Sequence, residues 1–221
     1  MKIGDFAPDG AAPRYFGVYP ALVTDITRDS ENLGRIELEF PWLGDDGADV
    51  RALATLCTPY ADDDQGFEFI PAVGSQVVVA FEAGDLRRPY VLGACWNGKE
   101  TLPEAPAAPN NKRLIKTRSG SLLEFDDTDG AAKVTVSMQS GHSIVMQDAG
   151  PSITVTHSGG SSITIDSSGI TVTSISTVTV NASSVTVNSP VSTFSGIVNC
   201  QTLIATSVVS SSYTPGAGNV W

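Results

Sequence analysis

The triplets Ile153-Thr154-Val155, Ile163-Thr164-Ile165, Ile170-Thr171-Val172, Val178-Thr179-Val180 and Val185-Thr186-Val187 recur at steps of 10, 7, 8 and 7 residues. Alternation of apolar β-branched residues with Thr is the pattern of a pleated strand with one apolar face. Ser, Gly and Asn fill the gaps, so the stretch 134–212 reads as a solenoid of short strands rather than a sandwich. After Lys133 the chain has no Lys or Arg, and Asp148 and Asp166 are its only acids. An ordinary soluble domain is about a quarter charged. Here hydroxyl groups take the place of surface charge.

Steps of seven or eight residues are too short for one chain to enclose a core, because single-chain solenoid repeats run to about twenty residues or more. They suit a prism in which three chains wind together, each giving one strand per face. The inward Ile and Val then meet on a threefold axis, and neighbouring chains pair the strand edges. In such a shaft, built of parallel layers, the last layer needs a cap.

Upstream the composition changes. Residues 1–112 hold 18 acidic and 9 basic side chains, and the whole chain carries a net charge of −11. Phosphate recognition needs a basic face, so nucleic acid is excluded as a partner. Cys57, Cys95 and Cys200 are odd in number and widely spaced, which predicts buried thiols and neither a disulfide framework nor a metal set. Met1-Lys2-Ile3-Gly4-Asp5 leads into no apolar signal core, and nothing approaches a membrane span, so synthesis in the cytoplasm is expected.

Five short strands are expected over 15–26, 35–40, 50–56, 76–81 and 89–95. Turn clusters at 44–47, 62–66 and 84–85 separate them. That count fits a small barrel. The predicted fold class is all-β: an N-terminal OB-type Greek-key barrel followed by an intertwined trimeric β-helix, or prism. The boundaries are an N-terminal segment 1–14, the OB-fold barrel 15–101, a Pro-rich linker or neck 102–112, the shaft 113–211 and a tip or cap motif 212–221.

The stretches YFGVYPALVTDI (15–26), LGRIELEFPWL (33–43) and FIPAVGSQVVVAFEAGDLRRPYVLGACWNG (69–98) resemble the OB domain of contractile-tail spike proteins. That family includes the phage baseplate assembly protein V, the VgrG proteins and the spikes of extracellular injection systems. KRLIKTRSGSLLEFDDTDG (112–130) is similar to the family's neck, with Ser121 where the family commonly has His. The resemblance implies a central spike, or needle tip, that pierces a target envelope on sheath contraction. Because the chain opens almost directly on the barrel, it also implies a separate hub protein on the baseplate side. The implied destination is a virion or an extracellular injection particle.

Other chemistries are poorly served. Asp62-Asp63-Asp64 lacks a bidentate Glu at calcium-loop spacing, and Asp126-Asp127-Thr128-Asp129-Gly130 reads as a turn. No G-x-S-x-G elbow accompanies the serines, and Asp148 and Asp166 would be the only carboxylates for sugar cleavage. No catalytic residue, cofactor or metal is therefore expected. His142 and His157 fall on the inward parity of the shaft, where a trimer could gather three imidazoles, but flanking Gly and Ser predict that both lie at corners. The break in the repeat at the end offers Tyr213, Thr214, Pro215, Gly216, Ala217, Gly218, Asn219, Val220 and Trp221 as a cap or docking platform. The resemblance implies a PAAR-type tip protein as its partner. The competing reading is a trimeric adhesion fibre or tailspike that binds a surface glycan.

Overall fold

The computed structural model describes residues 13–43 and 50–212. Among these residues there is no α-helix; fourteen strands and one 3-10 turn (Glu82–Gly84) carry the fold.

The first body is a closed barrel. Its strands are β1 (Val18–Asp25), β2 (Arg35–Glu39), β3 (Arg51–Leu56), β6 (Gln76–Phe81) and β7 (Pro89–Ala94), hydrogen-bonded in the order β1-β2-β3-β7-β6. The β3–β7 pairing is parallel and the other four are antiparallel. Each strand alternates as its sequence dictates. Ala21 and Val23 of β1, Ile36 and Leu38 of β2, Val77, Val79 and Phe81 of β6 and Val91 of β7 all point inward and are buried. Such burial contributes about 1.5–3 kcal/mol per large side chain. Tyr15, Tyr19, Phe40, Trp42 and Phe81 form one aromatic group, in which Tyr19 stacks on Trp42 at 4.6 Å between ring centres. All five strands fall within two or three residues of the expected limits.

The connection from β3 to β6 is a protruding arm. It holds the small hairpin β4 (Ala61–Asp62) and β5 (Gln65–Gly66), with Asp63 and Asp64 at its turn. Gly66 is obligatory there, because a Cβ at this position would lie 2.7 Å from the Tyr60 carbonyl oxygen. The acidic run is thus a hairpin tip.

The second body is a seven-stranded antiparallel meander. It comprises β8 (Lys112–Lys116), β9 (Leu122–Asp126), β10 (Lys133–Ser137), β11 (Ser143–Gln147), β12 (Ser152–Thr156), β13 (Ser162–Asp166) and β14 (Gly169–Thr173). Here the structure differs from the expected parallel layers. Up to Thr173 every strand pairs with its sequence neighbours in the same chain. The reason lies in the turns. Thr117–Ser121, Met138–His142 and His157–Ser161 each close with the first residue's N–H donating to the fifth residue's carbonyl at 2.9 Å. The fourth residue's N–H donates back to the first, and that residue is always glycine: Gly120, Gly141 and Gly160, with φ between 83° and 96°. Only glycine adopts that backbone without strain, so the chain reverses in place.

Side-chain carboxylates lock the tighter loops. Asp29 accepts from the N–H groups of Leu33 (2.7 Å) and Arg35 (3.0 Å) and from the Arg35 guanidinium (2.6 Å). The Arg35 bonds, with the backbone donors, hold its carboxyl well below the usual carboxylate range. Asp85, gripped by the Arg87 side chain and N–H, is lowered to about 2. Thr128 lowers Asp126 and Ser168 lowers Asp166 in the same way. A carboxyl depressed by folding contributes stability above its ordinary pKa of about 4 and loses it as pH falls through the folded value. Thermal melts between pH 6 and pH 2 should therefore show Tm falling below about pH 4. Asp29→Ala should lower Tm at pH 7 and flatten that acid slope; an unchanged slope would remove Asp29 from the account.

Candidate assembly interface

The meander has two unlike faces. Strand register aligns Ile115, Leu123, Val136, Ile144, Val155, Ile163 and Val172 in one cross-strand row. A second row on the same face runs through Arg113, Phe125, Val134, Met146, Ile153, Ile165 and Ile170. Thirteen of these fourteen positions are apolar. The central row of the other face is Leu114, Glu124, Thr135, Val145, Thr154, Thr164 and Thr171.

Burial is the reverse of what an independent sheet requires. Ile144, Met146, Ile153, Val155, Ile163 and Ile165 each leave 41–44% of their surface exposed, and Ile170 leaves 70%. Thr154, on the opposite face, is half-buried. An exposed apolar area of this extent marks a contact surface. The polar face is closed by charge pairing instead: Lys112 reaches Glu104 at 2.8 Å and Glu124 at 3.5 Å, and Lys133 reaches Asp126 at 3.7 Å.

At Ser174 the hairpin turns cease, and so does pairing. Among the described residues, 174–212 contain no strand and make no backbone–backbone hydrogen bond with the rest of the chain. Val178, Val180, Val185 and Val187 are all 61–70% exposed. Backbone donors and acceptors in an apolar, β-branched segment need partners. Within the chain only the hydroxyls of Ser174, Ser189 and Ser210 meet a few of them.

His142 and His157 lie in two adjacent turns at one end of the sheet, as their glycine and serine neighbours predict, with ring centres 4.6 Å apart. The Nδ1 of His142 accepts the N–H of Ser158 at 3.2 Å, and the Nδ1 of His157 accepts the N–H of Gly159 at 3.0 Å. A neutral imidazole whose Nδ1 lone pair is used in this way carries its proton on Nε2, so Nε2 has no free lone pair for a metal. Elemental analysis of the purified protein should accordingly find well below one third of an equivalent of transition metal per chain; a stoichiometric metal lost in His142→Ala or His157→Ala would show that the turns rearrange. Cys57, Cys95 and Cys200, expected to be buried, are all exposed. Cys57 and Cys95 flank the barrel edges, and Cys200 lies in the unpaired segment, so neither environment is a packed core. The predicted tip residues from Tyr213 to Trp221 lie outside the described residues.

The alternation made the Ile and Val parity of β12 to β14 legible from sequence. It did not reveal that Ile115, Leu123 and Phe125 extend the same face toward the neck, because charged neighbours (Arg113, Lys116, Glu124) mask the pattern there.

This geometry agrees with comparisons to known proteins. Residues 19–96, nearly the whole barrel, match the type VI secretion system/phage-baseplate injector OB domain. Residues 139–192, which run from the β10–β11 turn across the loss of pairing at Ser174, match the phage baseplate V C-terminal trimerisation domain. The two matches fall in succession on the barrel and on the region where the meander gives way to the unpaired segment, each over less than half of the chain. Among curated relatives, the chain is similar to the type VI secretion system spike protein VgrG3 of Vibrio cholerae, 25% identical over 116 residues (49% of this chain, 11% of that protein). It is likewise similar to the spike protein VgrG1b of Pseudomonas aeruginosa, 22% identical over 129 residues (54% and 17%). The actin cross-linking toxin VgrG1 of Vibrio cholerae is 23% identical over 132 residues (54% and 12%). The chain is VgrG-like, and the matched stretch is less than a fifth of each of these relatives.

The two faces of the meander make a simple test. Ile163→Asp would place a carboxylate in the apolar rows, where an unpaired buried charge costs several kcal/mol. It should abolish self-association in light scattering, whereas the adjacent Thr164→Asp should leave association within twofold of wild type. Equal tolerance of both would mean that nothing covers the apolar face.

Proposed function

We propose that the protein is a non-enzymatic, homotrimeric central spike of a contractile injection machine or phage baseplate. The observation that carries this reading is the apolar meander face joined to a segment that makes no backbone–backbone hydrogen bond. Three copies related by a threefold axis would cover each other's apolar faces and pair each other's backbones from Ser174 onward. The match to a trimerisation domain over this same region supports that number.

In this reading the two parts of the shaft hold the copies differently. The meanders of residues 112–173 are folded within each chain and pack through side chains, while residues 174–212 wind together through shared backbone bonds. Interchain pairing would make the distal part stiff, as a piercing element needs. The barrels form a collar at the wide end, where a separate hub protein docks, and residues 213–221 meet a PAAR-type tip protein. Contact with the target membrane is mechanical, on sheath contraction, after assembly into a particle that acts outside the cell. The toxin activity named for one relative belongs to a protein of which the matched stretch is 12%; it is not carried over.

Purified protein should run as a trimer of about 69 kDa, three chains of 23.1 kDa, and resist SDS without heating. A folded, stable monomer in light scattering would remove the trimer and the spike reading together.

A further inference from the structure

The barrel's outer wall is divided as sharply as the meander. On β2 and β3 the outward side chains include Arg35, Glu37, Glu39 and Arg51, and they neutralise one another. Glu37 pairs with Arg28 and lies 3.7 Å from Arg51, which lies 3.5 Å from Glu39, and Arg35 holds Asp29. The wall formed by β1, β6 and β7 is different. Cross-strand register sets Val18 beside Ala80 and Tyr90, and Pro20 beside Val78. Leu92, at the β6–β7 bulge, projects outward from the same wall. Across Val18, Pro20, Val78, Ala80, Tyr90 and Leu92 the only ionisable group is the Tyr90 phenol, with Asp25 and the mutually paired Glu82 and Arg88 at the ends of the wall. Val18 is 63% exposed and Leu92 50%.

We infer that this uncharged wall is where the barrel of a second copy of the chain docks. Two features select that occupant. Residues 1–112 carry nine more acidic than basic side chains, so copies brought together at one end of a shaft repel except where they present uncharged surface. A cationic partner would gain nothing from such a wall and would take the acidic surface instead. Moreover β7, the wall's last strand, is the one from which the chain leaves through Trp96, itself 63% exposed, toward the meander. Fewer than twenty residues of tether keep the copies at millimolar effective concentration, where a modest apolar patch suffices for contact. The inference rests on the trimer proposed above.

The test uses the full chain with a benzophenone amino acid at Leu92, at Val18, or at Leu53 on the β2–β3 wall as control. After irradiation and heating in SDS, Leu92 and Val18 should give at least tenfold more chain-to-chain adduct than Leu53. A protein that remains trimeric in light scattering but gives no excess adduct at Leu92 and Val18 overturns the docking wall and leaves the trimer standing. Equal adduct at all three sites overturns it as well. A monomer in light scattering overturns the trimer, and the docking wall with it.

Discussion

The structure depends on an apolar sheet face that its own chain does not cover. Thirteen apolar side chains of the meander are aligned in two rows by antiparallel register, and eleven of them are exposed. Apolar area is worth about 25 cal/mol per Å² removed from water, so this surface is both the strongest available drive to associate and the greatest hazard if it stays bare. Everything nearby is consistent with ordered burial. The face has a single charge, Arg113 at its neck end, and the opposite face carries threonines and paired ions that keep it wet.

Charge follows the same division along the chain. The barrel concentrates acids and pairs the few that fall on its strands with arginine, whereas beyond Lys133 titratable side chains nearly vanish. A body that must sit in solution and meet other proteins benefits from charge. A rod wound from several chains does not, because every charge on it appears once per chain at one height. Serine and threonine keep such a rod wetted while leaving its strands free to approach.

Much of this was legible in the residues. Arg35-Ile36-Glu37-Leu38-Glu39-Phe40 alternates so cleanly that its inward set could be read directly, and Pro89 marked the start of β7. The triplets identified the apolar parity of β12 to β14. Pairing partners were less accessible, because period two is the same for a strand that bonds its own chain and one that bonds another. The distinction sits in the turns. Gly120, Gly141 and Gly160 permit a five-residue reversal, whereas the intervals after Thr173 hold no such glycine until Gly196. The histidines were placed correctly at corners, but their Nδ1 bonds to Ser158 and Gly159 depend on a turn geometry that spacing does not specify.

The recurring turn makes the length of the meander a discrete variable. The three glycine turns at one end of the sheet share one hydrogen-bonded frame, so removing or adding the whole hairpin between two of them leaves both apolar rows in register. Adjacent strands lie about 4.8 Å apart, and a hairpin is therefore a step of roughly 10 Å along the rows. A lineage could lengthen or shorten this part of the rod by duplication or deletion of some twenty codons without redesigning a single contact. An odd insertion within a strand would instead turn every side chain beyond it to the other face.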